Sequence, residues 1–195
     1  MCGRFYIDHD TMNAVKKMVS EMDGAIRQIH LEKDIYPTDI APIIVGDRHG
    51  LKLTCQKWGY PGLEQKNVIY NARVESVLEK KIFSNGIRYH RAVIPVKHFY
   101  EWSQNREKNT FCRKDTKEMY LAGIFDGIGK EERFVILTTE ANESMKKIHN
   151  RMPLILEKNQ IFDWILGEEH TVNNILHQVP VLLDRKVEFE QMTLF

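Results

Sequence analysis

Cysteine is scarce: three residues in a chain of 195, at positions 2, 55 and 112. An odd number at such wide spacing excludes a disulfide framework, a zinc knuckle and a vicinal redox pair, and it suits a reducing cytoplasm. No disulfide, metal site or cofactor is expected. Long apolar runs are also missing. Nothing approaches the roughly 20 consecutive apolar residues that a bilayer demands, and the first thirty positions carry Arg4, Asp8, Asp10, Lys16 and Lys17 instead of a leader. The expectation is a soluble, untargeted cytoplasmic protein with no membrane partner. Charge of one sign is lacking too, since 28 basic residues face 27 acidic ones for a net of +1. General attraction to polyanions is therefore not built into the composition, and any contact with nucleic acid must come from a local cluster. Pro/Gly/Ser-rich stretches, internal repeats and low-complexity segments are absent, while 43% of residues are hydrophobic, enough for one core. Residues 1–190 read as one domain, expected to be a monomer. A small neutral enzyme acting on a metabolite remains open on these grounds.

What is present is strand-rich. Leu51, Leu53 and Cys55 alternate with Lys52, Thr54 and Gln56, and the apolar run Ile43-Ile44-Val45 precedes them across the turn-forming Asp47-Arg48-His49-Gly50, so a hairpin is expected over 40–57. Further strands are expected over 92–96, 99–102, 120–125 and 134–138, the last two joined by a turn over 126–130. Asp10-Thr11, followed by Met12, Val15, Val19 and Met22 and closed by Gly24, predicts an amphipathic helix. Shorter helices are expected over 142–148, 160–166 and 172–177. Strands arrive in neighbouring pairs without strand–helix–strand alternation, which predicts an α+β fold of mostly antiparallel sheet.

Cys2 stands directly after the initiator Met. A cysteine near a terminus is usually only a cysteine. Here, however, the small side chain permits removal of Met1, and the product would be a 1,2-aminothiol, which condenses with an aldehyde through an imine and then closes a five-membered thiazolidine by thiol addition. An α-amine of pKa about 7.7–8.0 is roughly one-fifth neutral near pH 7.3, whereas a lysine at about 10.4 is neutral about once in a thousand. The amine needs no burial to be nucleophilic.

Three further segments stand out: Tyr70-Asn71-Ala72-Arg73, Phe99-Tyr100-Glu101-Trp102 and His149-Asn150-Arg151-Met152-Pro153. Each has a plain structural reading. Asn71 would cap a helix starting near Val74, Glu101 would be a strand-edge charge, and His149 a satisfied core imidazole at a helix end. Taken in order with Met1-Cys2-Gly3-Arg4-Phe5, Tyr36-Pro37-Thr38, Trp58-Gly59, Ile94-Pro95, Leu121-Ala122-Gly123, Thr138-Thr139 and Ala141-Asn142, they span nearly the whole chain. In this combination the sequence resembles the SOS response-associated peptidase (SRAP) family, proteins that sense abasic sites and crosslink to DNA.

The resemblance implies a barrel-like core of antiparallel sheets with flanking helices, and a partner, single-stranded DNA carrying abasic sites. Cys2 would form the thiazolidine with the ring-opened sugar, Asn71 would hold the N-terminus, Glu101 would act as general acid/base in both directions, and His149 would donate to the sugar ring oxygen. Flanking by Tyr100 and Trp102 is expected to desolvate Glu101. Arg4, Arg73 and Arg151 would hold phosphates, because a guanidinium matches phosphate oxygens in a bidentate way. Pro37, Trp58, Trp102 and Met152 are placed on the DNA side, with Trp58 and Trp102 as stacking surfaces set against core packing. The activity implied is that of a DNA–protein crosslinking, lyase-like enzyme in the bacterial cytoplasm at the nucleoid. The alternatives are a self-processing thiol peptidase using Cys2 and His149, and a non-catalytic DNA- or clamp-binding module. This chain departs from the family's usual pattern in having Lys97-His98 before Phe99, which is expected to bring an extra imidazole near the site, and a short segment after Gly59.

The last five residues resemble the Gln-x-x-Leu-Phe peptide that docks on a replication sliding clamp. Gln191, Leu194 and Phe195 would make that contact, as a tail of 191–195, unless they end the last strand or cover the core.

Overall fold

Alternating buried and polar side chains build most of the chain into strands in the computed structural model, which describes residues 2–62, 67–116, 118–129 and 131–188. The path opens with β1 (Phe5–Ile7), α1 (His9–Lys16), β2 (Glu21–Met22) and β3 (Lys33–Ile35). A long hairpin, β4 (Ile40–Asp47) and β5 (Gly50–Trp58), precedes the short strands β6 (Tyr60–Pro61), β7 (Val68–Ile69) and β8 (Asn71–Arg73). Then come α2 (Lys81–Tyr89), β9 (Arg91–Val96), β10 (His98–Trp102), β11 (Lys108–Cys112) and a second long hairpin, β12 (Met119–Ile128) and β13 (Glu131–Glu140). The described chain ends with β14 (Arg151–Pro153), β15 (Ile155–Leu156), α3 (Ile161–Leu166), α4 (Glu169–Leu176) and β16 (Asp184–Glu188).

Two sheets carry the architecture. In the first, β5, β4, β9, β12 and β13 pair antiparallel in that order. The parallel pairs Arg133↔Lys57 and Phe134↔Trp58 return β13 to β5 and close a five-stranded barrel. Trp58 sits at this closure, fully buried, stacked on Phe134 at 6.3 Å, 5.0 Å from Phe5, and donating Nε1–H to the Tyr70 carbonyl at 2.9 Å. Gly123 lies where β12 is squeezed between its neighbours: a Cβ there would stand 2.4 Å from Ile94 Cδ1 and 2.8 Å from the Val135 carbonyl oxygen. Only glycine lets the strands approach so closely. The second sheet, in the order β16-β11-β10-β1-β3, is antiparallel throughout and packs Phe5, Phe99 and Phe111 into the core. The expected α+β, mostly antiparallel architecture around a barrel with flanking helices is what forms.

Local differences have physical causes. α1 stops at Lys16, not Gly24, because Ser20 N–H bonds to the Leu51 carbonyl and Met22 pairs with Leu53, so sheet pairing captures residues whose spacing also fits a helix. Its N-cap is Asp8, whose carboxylate accepts the Thr11 N–H at 2.8 Å. The helix expected over 142–148 is a run of turns, in which the Asn142 side chain is drawn away to the Pro180 and Val181 carbonyls. The turn expected over 126–130 is tighter than that, because β12 runs on to Ile128 and β13 starts at Glu131; the reversal falls at Gly129, with φ of 65°. Helix α2 was not foreseen; it lacks a side-chain cap and contains Asn85 and Gly86, yet Phe83, Gly86 and Ile87 form a buried face.

Arg91 ties the helices to the barrel. Its guanidinium donates to the Ile87 and Arg88 carbonyls at the end of α2 and to the Trp164, Ile165 and Gly167 carbonyls at the end of α3, at 2.6–3.3 Å. Two helix C-termini, each with unsatisfied carbonyls and partial negative charge, thus converge on one cation. Arg91→Ala is expected to cost about 3 kcal/mol, since hydrogen bonds to a charged group contribute about 1.5–3 kcal/mol and several carbonyls lose their donor together. Chemical denaturation should show a lower midpoint with unchanged slope; a wild-type midpoint would rule the clamp out.

Candidate functional site

β1 and β10 pair through Phe5↔Phe99 and Tyr6↔His98, and Tyr100 N–H extends the ladder to the Arg4 carbonyl at 3.0 Å. The chain beyond Arg4 therefore runs alongside Glu101 and Trp102. Cys2 is fully buried there, its thiol pointing at the Arg4 carbonyl at 3.8 Å. Asn71 reaches it from β8, donating Nδ2–H to the Cys2 carbonyl at 2.9 Å across 69 residues of sequence. β8 is itself held in parallel register to β13 by Ile136↔Asn71 and Thr138↔Arg73. Burial, and then the negative charge of Glu101, push the Cys2 thiol up to about 12. Glu101 is 5% exposed, and its Oε2 accepts the Trp102 N–H at 3.3 Å. Cys2, Asn71 and Glu101 thus form one group.

A second group sits at the other end of β8. The Thr139↔Met152 and Glu140↔Arg151 pairs place β14 on the opposite side of β13 from β8. Immediately before β14, His149 accepts the Arg151 N–H on Nδ1 at 2.9 Å, so the neutral ring carries its proton on Nε2, as a donor. Arg151 forms a bidentate pair with Glu75 at 2.6 and 2.8 Å and donates to the Thr138 carbonyl at 2.5 Å. Arg73 is exposed beside them. Glu75, not foreseen in the sequence, balances the charge of Arg151 and would have to be displaced or shared by a phosphate there.

Arg4 belongs to a third neighbourhood. Its guanidinium pairs with Asp34 and lies 5.1 Å from the Tyr36 ring centre and 4.7 Å from that of Tyr100. The Tyr36-Pro37-Thr38 turn is pinned by Tyr36 N–H to Asp39 at 2.9 Å and Thr38 N–H to the Trp58 carbonyl at 2.8 Å, and Thr38 adopts φ of 81°. A β-branched residue in the left-handed region is strained, held here by its surroundings. Pro37 is half-buried on this turn.

Three expectations need correction. Trp58 and Met152 are 0% and 1% exposed, parts of the core, so neither presents a face to a base. Tyr100 and Trp102 alternate with Glu101 along β10 and so point to the opposite face of the sheet, which means that burial within the fold, not these two rings, removes Glu101 from water. The extra imidazole, His98, lies on that opposite face as well, stacked on Tyr6 at 4.9 Å and within 2.8 Å of the Tyr100 hydroxyl. Trp102 is half-buried. Gln191, Leu194 and Phe195 lie outside the described residues. Among the described residues, no helix is long and apolar enough to cross a membrane.

Residues 1–192 match the family model described as SOS response associated peptidase (SRAP). The chain is 29% identical over 185 residues to the abasic site processing protein YoaM of Bacillus subtilis, covering 85% of this chain and 79% of that protein. It is 28% identical over 189 residues to the abasic site processing protein YedK of Escherichia coli, covering 86% and 81%. A crystal structure of a protein from Bacteroides thetaiotaomicron superposes with a TM-score of 0.81 at 21% identity, covering 95% of this chain and 91% of that one, which shows the shared fold. The chain belongs to the SOS response associated peptidase family.

Proposed function

We propose that this protein senses abasic sites in single-stranded DNA and captures them covalently through Cys2 after Met1 has been removed. The supporting observation is the convergence on Cys2 of two side chains remote in sequence, with Asn71 holding its carbonyl and Glu101 buried close enough to raise its thiol. The relatives YoaM and YedK carry the name abasic site processing protein, which supports the abasic site as the lesion.

The steps balance without oxidant or metal. The α-amine of Cys2 adds to the aldehyde carbon of the opened sugar, and the carbinolamine loses its hydroxyl as water, with a proton delivered by Glu101. The thiol then adds across the C=N bond, forming C–S while its proton passes through Glu101 to nitrogen. One water is released overall. Reversal runs the same path backwards. His149, donating from Nε2, is assigned to the sugar ring oxygen as the ring opens, and the exposed Arg73 to a flanking phosphate.

Burial and the charge of Glu101 hold the thiol well above its ordinary range, so the neutral amine leads and the thiol follows. A thiol peptidase, in contrast, needs its thiolate first. This favours crosslinking over thiol-peptidase turnover. Denaturing gels test the reading. Met1-free protein should give an SDS-resistant adduct with an abasic oligonucleotide and none with an intact one, and the adduct should vanish in Cys2→Ala and in protein retaining Met1. An adduct that survives Cys2→Ala would refute it.

A further inference from the structure

Phe5, Phe99 and Phe111 make the inward face of the second sheet apolar, yet two polar side chains share that face. Residues directly opposite one another across an antiparallel ladder point to the same side, and so do alternate residues along a strand. The pairs Phe99↔Phe111 and Glu101↔Asn109 therefore set Glu101 and Asn109 side by side next to the phenylalanine row, with Cβ atoms about 4.5–5.5 Å apart. Asn109 is 0% exposed, more deeply buried than Glu101 itself. An amide placed so far from water costs free energy unless both of its ends find partners.

One end is accounted for. Asn109 Nδ2–H donates to the Glu107 carbonyl at 2.8 Å, the same carbonyl that accepts the Ser103 N–H at 3.0 Å. A carbonyl accepts from nitrogen and not from another carbonyl oxygen, so this contact decides which end of the amide is which. It also draws the side chain over the seam between β10 and β11, because a carbonyl bonded to Ser103 points toward the strand that carries Glu101. The other end, Oδ1, is buried without a hydrogen-bond partner. Val187, its ladder partner on β16, has no donor to offer, and the nearby Ser103 hydroxyl is given to the Glu107 carboxylate at 3.2 Å. Its other ladder partner, Glu101, can bring it an O–H.

We infer that Asn109 is a positioning residue for the acid–base step, its Oδ1 accepting the O–H of Glu101 each time that carboxyl is protonated. The role rests on the proposed capture at Cys2 and deepens it. A general acid/base alternates between two forms, and a buried site must provide for both. The carboxylate takes the Trp102 N–H. The acid form has an O–H to place where water is excluded, and the bare amide oxygen is the acceptor beside it. When Glu101 gives its proton to the departing hydroxyl of the carbinolamine, Oδ1 loses its donor; when the thiol proton passes to Glu101, the bond forms again. Asn109 itself neither gains nor loses a proton.

Asn109→Leu in Met1-free protein tests it, because leucine has the same branched outline, suits the phenylalanine face and leaves the Glu107 carbonyl its bond from Ser103. Crosslinking to an abasic oligonucleotide and its reversal should each slow about ten-fold, the weight of one hydrogen bond, with the final yield unchanged. Alkylation of Cys2 by iodoacetamide should not quicken, since the thiol stays buried. Asn109→Gln, which returns an amide oxygen, should recover most of the rate. Asn109→Ala, which introduces no new atoms, should behave as Asn109→Leu and stands in for it if the leucine variant does not fold. Wild-type rates in Asn109→Leu would overturn the role. So would slowing joined to quicker alkylation or a changed yield, the same loss in Asn109→Gln, or failure of both the leucine and alanine variants to fold, each of which makes Asn109 a packing residue. Wild-type protein that forms no adduct would remove the reading at Cys2 and this role with it, whereas a wild-type adduct whose rates Asn109→Leu leaves untouched removes the role alone.

Discussion

Cys2→Ser protein, freed of its Met1, is expected to form the imine with an abasic strand but to lose the stable adduct. The α-amine, the Asn71 bond to the residue 2 carbonyl and the buried Glu101 all survive this exchange, because only the atom at Sγ changes. Imine formation uses nitrogen alone, so it should proceed. Ring closure needs a nucleophile soft enough to add to the imine carbon, and a hydroxyl is a far poorer one than sulfur. The imine stays open and hydrolyses when the protein is denatured, so gels without reductant should show adduct at background. Adding cyanoborohydride, which reduces the C=N bond to a stable amine, should restore the band to near the wild-type level. The two-step order is thereby read separately: Cys2→Ala behaving like Cys2→Ser under reduction would support amine-first attack, and a heat-stable, unreduced Cys2→Ser adduct would show that sulfur has no part in the product.

Much of the fold was legible because its strongest signals are local. The 40–57 hairpin follows from a two-residue alternation interrupted by turn chemistry, and the β4–β5 register from Ile40↔Lys57 to Asp47↔Gly50 repeats that pattern in space. What escaped reading depends on contacts far away in sequence. Val19 and Met22 fit a helical period, yet β2 pairs with β5; α2 is secured by packing of Phe83 and Ile87, not by its own propensity. The barrel closure is a parallel pairing between residues some 76 apart, Arg133↔Lys57, which no local pattern encodes. The candidate site was legible in a different sense. No spacing rule links positions 2, 71 and 101; the family resemblance named them, and the ladder between β1 and β10 with the arm of Asn71 shows how they meet. Trp58 misled because tryptophan serves stacking and core equally well, and only its complete burial separates the two.

Glu101→Gln separates proton transfer from placement, because the substitution moves two measurable rates in opposite directions. The amide keeps the size of the carboxylate and still accepts the Trp102 N–H through its oxygen, so the local fold should hold. It cannot exchange a proton at neutral pH. Formation of the adduct and its reversal should both slow by about 10²–10⁴, the usual contribution of a positioned acid/base, and by equal factors, since a catalyst leaves the equilibrium unchanged. At the same time a negative charge that raises the Cys2 thiol has gone. The thiol therefore falls from about 12, though burial, the larger cause, keeps it above its ordinary value. More thiolate is present at any pH below that range, so alkylation of Cys2 by iodoacetamide should quicken while crosslinking slows. A Glu101 that merely props Cys2 in place predicts otherwise: a loosened N-terminus would also quicken alkylation, because the buried thiol gains water, so that reading shows itself in a changed crosslinking yield, with forward and reverse rates out of proportion. Stopped-time gels for the adduct and mass spectrometry for the alkylated thiol, on the same preparation, decide between them.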